Sequence, residues 1–325
     1  MGAGNHHYTG ISIIRRPSPP YPFRLLASNL DAFHSMSVEV GPTLEHSEFG
    51  FIADDFVNLH NRLLPVAQFL PLQSRVSDEA SRVTAASRDV DVAVAAKATL
   101  TLIDVGDAPA YNPMRGHPGA GIHSTHTMDS VLPGDVLKVY NITPPHSLLG
   151  TVVVSSSKNV QNKPIPSLPP PLDRTVEPGS LALWQIEFTN STIKGAVPPF
   201  GSVVQIDRLA SAGAIVRHNH FHDSYNNAGR FAASNLLFAD NLLERCEDGI
   251  HISYDIAISF LEGSLGMTNL TLINNTFVTV MGCGAGRSGA HGCNHTCNSI
   301  ACVLSHVDPD LANQVHASGN IVRIN

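Results

Sequence analysis

A short alternation of apolar and polar residues recurs along the chain. In each copy a β-prone run reaches an Asn, and a large apolar residue follows two positions later. The copies occupy residues 215–221, 237–243 and 273–277, with a weaker one at 319–322 and one with Ser in place of Asn at 44–49. Because side chains alternate between the two faces of a strand, this pattern predicts that Phe221, Leu243 and Phe277 share one face.

The spacing of the copies predicts the architecture. Asn219 and Asn241 are 22 residues apart, and the step to Asn275 is 34 residues, about one repeat plus a loop. Three short strands and their turns need about this length to complete one coil of a parallel β-helix. We therefore expect an all-β fold, a right-handed parallel β-helix with an inner apolar column. The recurrent Asn side chains should bond to one another from coil to coil.

The repeat is absent between residues 63 and 202, which predicts an insertion between a first part of the β-helix (1–62) and its continuation (203–325). A poorly ordered tract is expected at about 72–130, and a small β-barrel or sandwich at about 131–202. The insertion should contain strands at 135–140, 150–154 and 180–186, and Trp184 is interpreted as one of its core residues.

Composition agrees with many short strands. The 325 residues are 43% hydrophobic but only 6% aromatic, and they include 25 Gly and 22 Pro, which favour turns. The net charge is −7, and no Lys and Arg cluster could follow a phosphate backbone, so nucleic acid is excluded as a partner. No apolar run approaches the ~20 residues that span a bilayer, so no membrane span is expected.

The cysteines point to an oxidising compartment. Four of the five lie in a Cys-rich loop at 283–302, where two local disulfides are expected, and a zinc site is the alternative. The zinc alternative would use Cys293, His295, Cys297 and Cys302.

Five glycosylation sequons favour a secretory route. They are Asn141, Asn190, Asn269, Asn274 and Asn294. Since no signal peptide is present, we expect the true N-terminus to be missing.

The candidate chemistry centres on Asp54 and Asp55. Adjacent carboxylates repel one another, and a turn can direct both into the same groove. Asp31 lies 23 residues before Asp54, so one coil earlier it should lie beside Asp54, about 5 Å away. Crowded carboxylates have separated pKa values, and glycoside hydrolysis requires one protonated acid and one ionised carboxylate. Asp31, Asp54 and Asp55 are therefore the predicted catalytic residues; turn formation or a structural cation is the alternative.

Further residues are candidates for binding sugar hydroxyl groups from the same groove. The strand after the acidic pair should direct Asn58 and His60 to one side, with Val57 and Leu59 on the other. The predicted substrate-binding residues are His34, Asn58, His60, Arg230, His251 and Glu262.

A second histidine group has the spacing of metal ligands. His218, His220 and His222 alternate along one predicted strand. Because no carboxylate set is near them, we expect an exposed histidine face, with a metal site as the alternative. No metal and no cofactor are expected.

Three segments, residues 29–35, 41–49 and 54–60, resemble glycoside hydrolase family 110, the α-1,3-galactosidases. Residues 134–140 resemble the entry to the family's inserted barrel, and 229–263 resemble the coils after it. The family motifs run D-G-F-H-S and, one coil later, D-D-G-I-N-V-H, and Asp31, Asp54 and Asp55 fall on their acidic positions. The resemblance implies a β-helix with an inserted β-barrel and a metal-independent, exo-acting hydrolysis of terminal α-linked galactose with inversion. Ala32 and Phe56 replace glycines of the pattern, which predicts an altered turn and a narrower groove.

Two other functions remain open from the sequence. A polygalacturonase-like β-helix hydrolase also combines an N-x-D motif with Asp-Asp, although the H-S and N-x-H elements favour the galactosidase. A non-catalytic β-helix that binds glycans or serves as a scaffold is the second alternative. In each case a glycan is the expected partner.

Overall fold

The computed structural model describes residues 4–16, 25–70, 98–105, 127–143, 145–160, 181–193, 197–198, 201–253, 261–280, 306–307 and 312–323. These residues form an all-β structure with three short 3-10 helices, at Thr127–Ser130, Asp207–Leu209 and Ala312–Gln314. Its strands are β1 (His7–Thr9), β2 (Ser12–Ile13), β3 (Phe33–Met36), β4 (Thr43–Glu45), β5 (Glu48–Gly50), β6 (Val57–Arg62), β7 (Leu64–Leu70), β8 (Ala98–Val105), β9 (Val136–Asn141), β10 (Leu148–Asn159), β11 (Leu181–Ser191), β12 (Ser202–Ile206), β13 (Ile215–Arg217), β14 (His220–Phe231), β15 (Leu237–Ala239), β16 (Leu242–Ile252), β17 (Glu262–Gly263), β18 (Leu270–Ile273), β19 (Thr276–Val278), β20 (His306–Val307), β21 (Val315–Ser318) and β22 (Ile321–Arg323).

The chain alternates between two parallel sheets. The first sheet has the order β1-β4-β13-β15-β18-β21, and the second is built on β6-β14-β16-β19-β22, with β2, β3, β5 and β20 paired in parallel beside it. β17 adds to β6 as an antiparallel edge. From β13 to β19 each copy of the sequence repeat therefore contributes one strand to each sheet.

The predicted apolar column is confirmed. Phe221 is paired with Leu243, and Leu243 with Phe277, on three neighbouring strands. All three side chains are fully buried and belong to one hydrophobic core, which also takes Leu44 and Phe238 from the first sheet. Burying a Phe or Leu side chain stabilises the fold by roughly 1.5–3 kcal/mol, so this column is a large part of what holds the two sheets together.

The predicted Asn ladder is also confirmed. The Nδ2 group of Asn219 donates to Oδ1 of Asn241 at 3.1 Å, and that of Asn241 donates to Oδ1 of Asn275 at 3.0 Å. Asn275 continues to Asn320 at 2.9 Å. At the other end the backbone N–H of Ser47 donates to Oδ1 of Asn219 at 3.0 Å. Each buried amide thus has partners on both neighbouring chain passes.

The inserted barrel is larger than the sequence predicts. It is a closed antiparallel barrel of the order β10-β11-β8-β7-β12-β9, so it extends from Leu64 to Ile206 instead of covering about 131–202. β8 falls within the tract that was expected to be poorly ordered, and that expectation is wrong for Ala98–Val105. β8 alternates apolar and polar residues, and its Leu100 and Leu102 are fully buried in the barrel core. Trp184 is buried there too, as predicted.

Several sequence features fall on other parts of the chain. Cys283, Cys293, Cys297, Cys302, His295 and Asn294 lie outside the described residues. Cys246 is buried and is a free thiol with respect to the described part of the chain, and burial raises its pKa to about 12. No helix among the residues described is long and apolar enough to cross a membrane.

Candidate functional site

The three predicted catalytic carboxylates are brought together. Asp31, Asp54 and Asp55 each offer one carboxylate oxygen, and these oxygens all lie within 4.8 Å of one another. They precede β3 and β6, two strands that pair in parallel. The turn before each strand directs its acid to the same end of the sheet.

The alignment of these acids differs by one residue from the prediction. Phe33 pairs with Val57, and the backbone N–H of Asp55 donates to Oδ1 of Asp31, 24 residues earlier, at 3.3 Å. Asp31 is therefore level with Asp55, not with Asp54. The physical reason is that Phe33 and Val57 both pack into the core, and this contact fixes the register.

The environment of Asp31 favours its protonated form. Burial raises the pKa of Asp31, Asp54 raises it further, and together they outweigh the opposing effect of His34. Asn58 is buried and donates from Nδ2 to Oδ2 of Asp31 at 3.1 Å. The Oδ1 atom of Asn58 is buried and has no hydrogen-bond partner in the described structure. This amide oxygen can therefore accept one more hydrogen bond beside Asp31.

His34 and His60 form a direct pair next to Asp31. Their Nε2 atoms are 2.7 Å apart, and Nδ1 of His60 donates to the carbonyl oxygen of Asn61 at 3.0 Å. Burial lowers the pKa of His60 to about 4, so its ring is neutral near pH 7 and its Nε2 must accept from His34. Nδ1 of His34 lies 3.5 Å from Oδ2 of Asp31. A proton on either group would lie between these two atoms.

Glu262 lies at the other end of the histidine pair. Its Oε1 is 3.6 Å from Nε2 of His60, and its Oε2 accepts from Nη1 of Arg230 at 3.3 Å. Burial alone would raise the pKa of Glu262, but His60, Arg230 and His34 together outweigh burial and the pKa is lowered.

Four predicted binding residues occupy one row across the second sheet. The strand register pairs His34 with Asn58, Asn58 with Arg230, and Arg230 with His251. Residues in register on neighbouring parallel strands point to the same face, about 4.8 Å apart. The sequence predicted each of these residues separately. The strand register places them side by side on one face of the sheet. Val57 and Leu59 are fully buried in the core, as predicted.

The groove is not narrowed by the two residues that replace family glycines. Phe56 is fully buried in the core and contacts Phe221, with ring centroids 5.4 Å apart. Ala32 packs against the same core. Neither residue has a positive φ. The expectation of a narrowed groove is therefore wrong, because both side chains face inward.

A cleft opens beside His34. It has a volume of about 270 Å³, and Tyr8, Phe33 and Met36 contribute to its walls. His34 is the member of the acid and histidine group that also lines this cleft. The sequence gave no signal for Tyr8, which reaches the site only because β1 pairs with β4.

The second histidine group also differs from its prediction. His218 lies in a turn with φ of +56° and stacks on His46, while His222 is buried on β14. The three histidines thus form no common exposed face. Glu48 of β5 lies beside His220 and His222, because residues 44–49 and 215–221 are copies of the same repeat and their strands pair.

No protein-family model matches the chain, and no curated protein matches it. The likeness to glycoside hydrolase family 110 therefore rests on sequence motifs alone, at residues 29–35, 41–49 and 54–60 and in the later segments at 134–140 and 229–263. The strands that contain these motifs, β3 to β6, belong to the two parallel sheets.

Proposed function

We propose that the protein is a glycoside hydrolase that removes a terminal α-linked galactose from a glycan. One observation carries the proposal: Asp31, Asp54 and Asp55 are gathered within 4.8 Å, and the pKa of Asp31 is raised. Glycoside hydrolysis needs a carboxylic acid that stays protonated and a second, ionised carboxylate. The identity of the sugar comes from the resemblance to family 110.

The proposal includes the architecture. We propose that the two parallel sheets are faces of a right-handed parallel β-helix, with the closed barrel inserted between two of its coils. The alternation of the chain between the sheets and the continuous Asn ladder support this. Right-handed crossover is the strong general preference for parallel strands.

The roles of acid and base divide between Asp31 and Glu262. An inverting enzyme needs its two carboxyl groups ~6.5–9.5 Å apart to admit a water, and the oxygens of the Asp cluster are closer than that. We therefore place the base of an inverting mechanism outside the cluster. Glu262 is separated from Asp31 by the His34–His60 pair, it accepts a hydrogen bond from Arg230, and its pKa is lowered. Asp31 is the general acid, assisted by Asp54 and Asp55, and Glu262 is the general base.

The cleft beside His34 supports an exo-acting enzyme. Its 270 Å³ lies just below the ~300–1,000 Å³ typical of ligand clefts, and His34 connects it to the acid group, so it suits one sugar residue better than a polymer segment. This favours a terminal galactose over the polygalacturonase-like alternative.

Location in the secretory pathway is part of the proposal. The sequon residues Asn190, Asn269 and Asn274 are exposed, as glycosylation requires.

The acid and base assignments are tested with two substrates, p-nitrophenyl α-galactoside and an α-galactosyl disaccharide. Nitrophenolate leaves without protonation, so Asp31→Asn should lower kcat roughly 10²–10⁴-fold on the disaccharide and far less on the aryl galactoside. Glu262→Gln should lower both by a similar factor. Asp240→Asn, at an exposed turn, is the matched control and should keep full activity. Wild-type protein that binds galactosides without turning them over would disprove the enzyme proposal.

A further inference from the structure

A second polar cluster lies on the second sheet, at the beginning of β14. Glu48 of β5 pairs with His220, and Gly50 pairs with His222. Glu48, His220 and His222 each offer one ligand atom, and these atoms lie within 4.8 Å of one another. None of the three belongs to the acid group around Asp31.

The ring of His222 is held in one orientation by charged neighbours. Its Nδ1 is 2.7 Å from Oδ2 of Asp223, and Asp223 accepts two hydrogen bonds from Arg245, at 2.7 and 2.9 Å. Both oxygens of Asp223 accept from Arg245, so Asp223 acts as an acceptor here and Nδ1 of His222 carries the proton. In the neutral ring the lone pair is on Nε2.

That Nε2 atom is buried and has no hydrogen-bond partner among the residues that the structure describes. His222 is only 9% exposed, so water is largely excluded from the ring. Nε2 lies 3.5 Å from Oε1 of Glu48. Buried polar atoms are normally satisfied, so this lone pair indicates that a ligand is missing from its surroundings.

The backbone makes room for the ring. A Cβ atom at position 50 would lie 2.2 Å from Cε1 of His222, so only glycine allows the imidazole to lie against β5. Phe51 contacts the other part of the ring edge-on, with centroids 5.5 Å apart at 89°. The position of His222 is thus fixed by packing as well as by Asp223.

His220 has a carboxylate partner of its own. Its Nε2 is 2.8 Å from Oε2 of Glu244. Histidines that bind metals almost always donate their other ring N–H to a carboxylate, a carbonyl or water, which fixes the ring and raises its basicity. Both histidines of the cluster show this arrangement.

We propose that Glu48, His220 and His222 bind a divalent transition-metal ion, with zinc as the best fit. Two imidazoles and one carboxylate are a known zinc ligand set that leaves a fourth position for water. Two ligands of a tetrahedral zinc are ~3.3 Å apart, close to the 3.5 Å between Glu48 and His222. Glu244 holds Nε2 of His220 and Asp223 holds Nδ1 of His222, so Nδ1 of His220 and Nε2 of His222 are the nitrogens left for the ion.

Equilibrium dialysis of the full chain against Zn²⁺ tests the proposal. The cysteines at 283–302 are competing ligands, so their thiols are first alkylated. The alkylated wild type should bind one equivalent that Glu48→Gln and His222→Gln lose. His218→Asn is the matched control, because Asn tolerates the positive φ of that turn, and it should keep the equivalent.

Two further measurements make the result decisive. Zn²⁺ should raise the Tm of the wild type and of His218→Asn but not that of Glu48→Gln, whose side chain is about half exposed and can change without loss of the fold. Co²⁺ should give a four-coordinate visible spectrum without thiolate charge transfer. Equal Zn²⁺ stoichiometry in wild type and Glu48→Gln would overturn the proposal and leave Glu48 and His222 as an ion pair only.

Discussion

His60 links the two carboxylates of the proposed mechanism. It accepts from His34, whose Nδ1 lies 3.5 Å from Oδ2 of Asp31, and it lies beside Glu262. Its own proton on Nδ1 is directed at the carbonyl of Asn61, so it can act only as an acceptor toward the site. Because His60 is buried and neutral, the hydrogen bond between the two histidines has a fixed direction. His34 donates from Nε2, so its Nδ1 is the atom that faces Asp31.

The burial of His60 predicts a pH dependence of stability. The unfolded state takes up a proton near pH 6.5, whereas the folded state does so only near pH 4. Lowering the pH through this window therefore favours unfolding, by up to about 3 kcal/mol at its lower end. Urea unfolding of the wild type and of His60→Gln should show a difference in unfolding free energy that shrinks by this amount between pH 7 and pH 4. His316→Gln, at an exposed position, should show no such change. A constant difference for His60→Gln would contradict the buried neutral ring.

The sequence predicted which residues belong to the site, but it did not predict all of the contacts between their side chains. Asp31, Asp54 and Asp55 were expected together because a constant coil length places them in line. The contact between His34 and His60 could not be expected, since the register pairs His34 with Asn58 and places His60 opposite Met36. It runs diagonally between strands and depends on side-chain rotation.

At the scale of elements, the Asn ladder is the feature that the sequence predicted most completely. A constant position after each strand, with a large apolar residue two places later, is enough to place the amides in line. The offset of Asp31 was predicted less well, because it depends on which apolar pair, Phe33 and Val57, meets in the core.

The ladder makes Asn241 a sensitive position. Its Oδ1 accepts from Asn219, and its Nδ2 donates to Asn275 and to the carbonyl of Val216. Asn241→Ala leaves these buried groups unsatisfied, and we expect a loss of roughly 1–3 kcal/mol in unfolding free energy for each group that water cannot reach.

Thermal and urea unfolding check this prediction. Asn190→Ala, on the exposed side of β11, is the control and should change stability by less than ~0.5 kcal/mol. An Asn241→Ala variant as stable as that control would show that the ladder contributes no net stability.

At the scale of the whole molecule, the barrel is tied to the parallel sheets by charge as well as by the chain. Arg208 follows β12 and donates to both carboxylate oxygens of Asp135, at 2.7 and 2.9 Å, and to the carbonyl of Ser130. It also pairs with Glu39, which lies between β3 and β4. The guanidinium of Arg208 thus connects Asp135 of the barrel segment with Glu39, which follows β3 in the parallel sheets.

The limits of the barrel could not be read from the sequence. β7 begins two residues after β6 ends, and no Gly, Pro, Asn or Asp lies between them to indicate a new strand. β8 is a single alternating strand that follows a long Ala-rich and Ser-rich tract. Local propensity was therefore misleading, and antiparallel pairing with β7 and β11 decides the structure of Ala98–Val105.

The most direct test of the proposed mechanism is the stereochemistry of the first product. ¹H NMR of the reaction with an α-galactoside separates the two anomers of galactose before they interconvert. Division of acid and base between Asp31 and Glu262 predicts inversion, so β-galactose should appear first and α-galactose only later by mutarotation. α-Galactose as the first product would contradict the account, because retention would place both catalytic carboxylates inside the cluster of Asp31, Asp54 and Asp55.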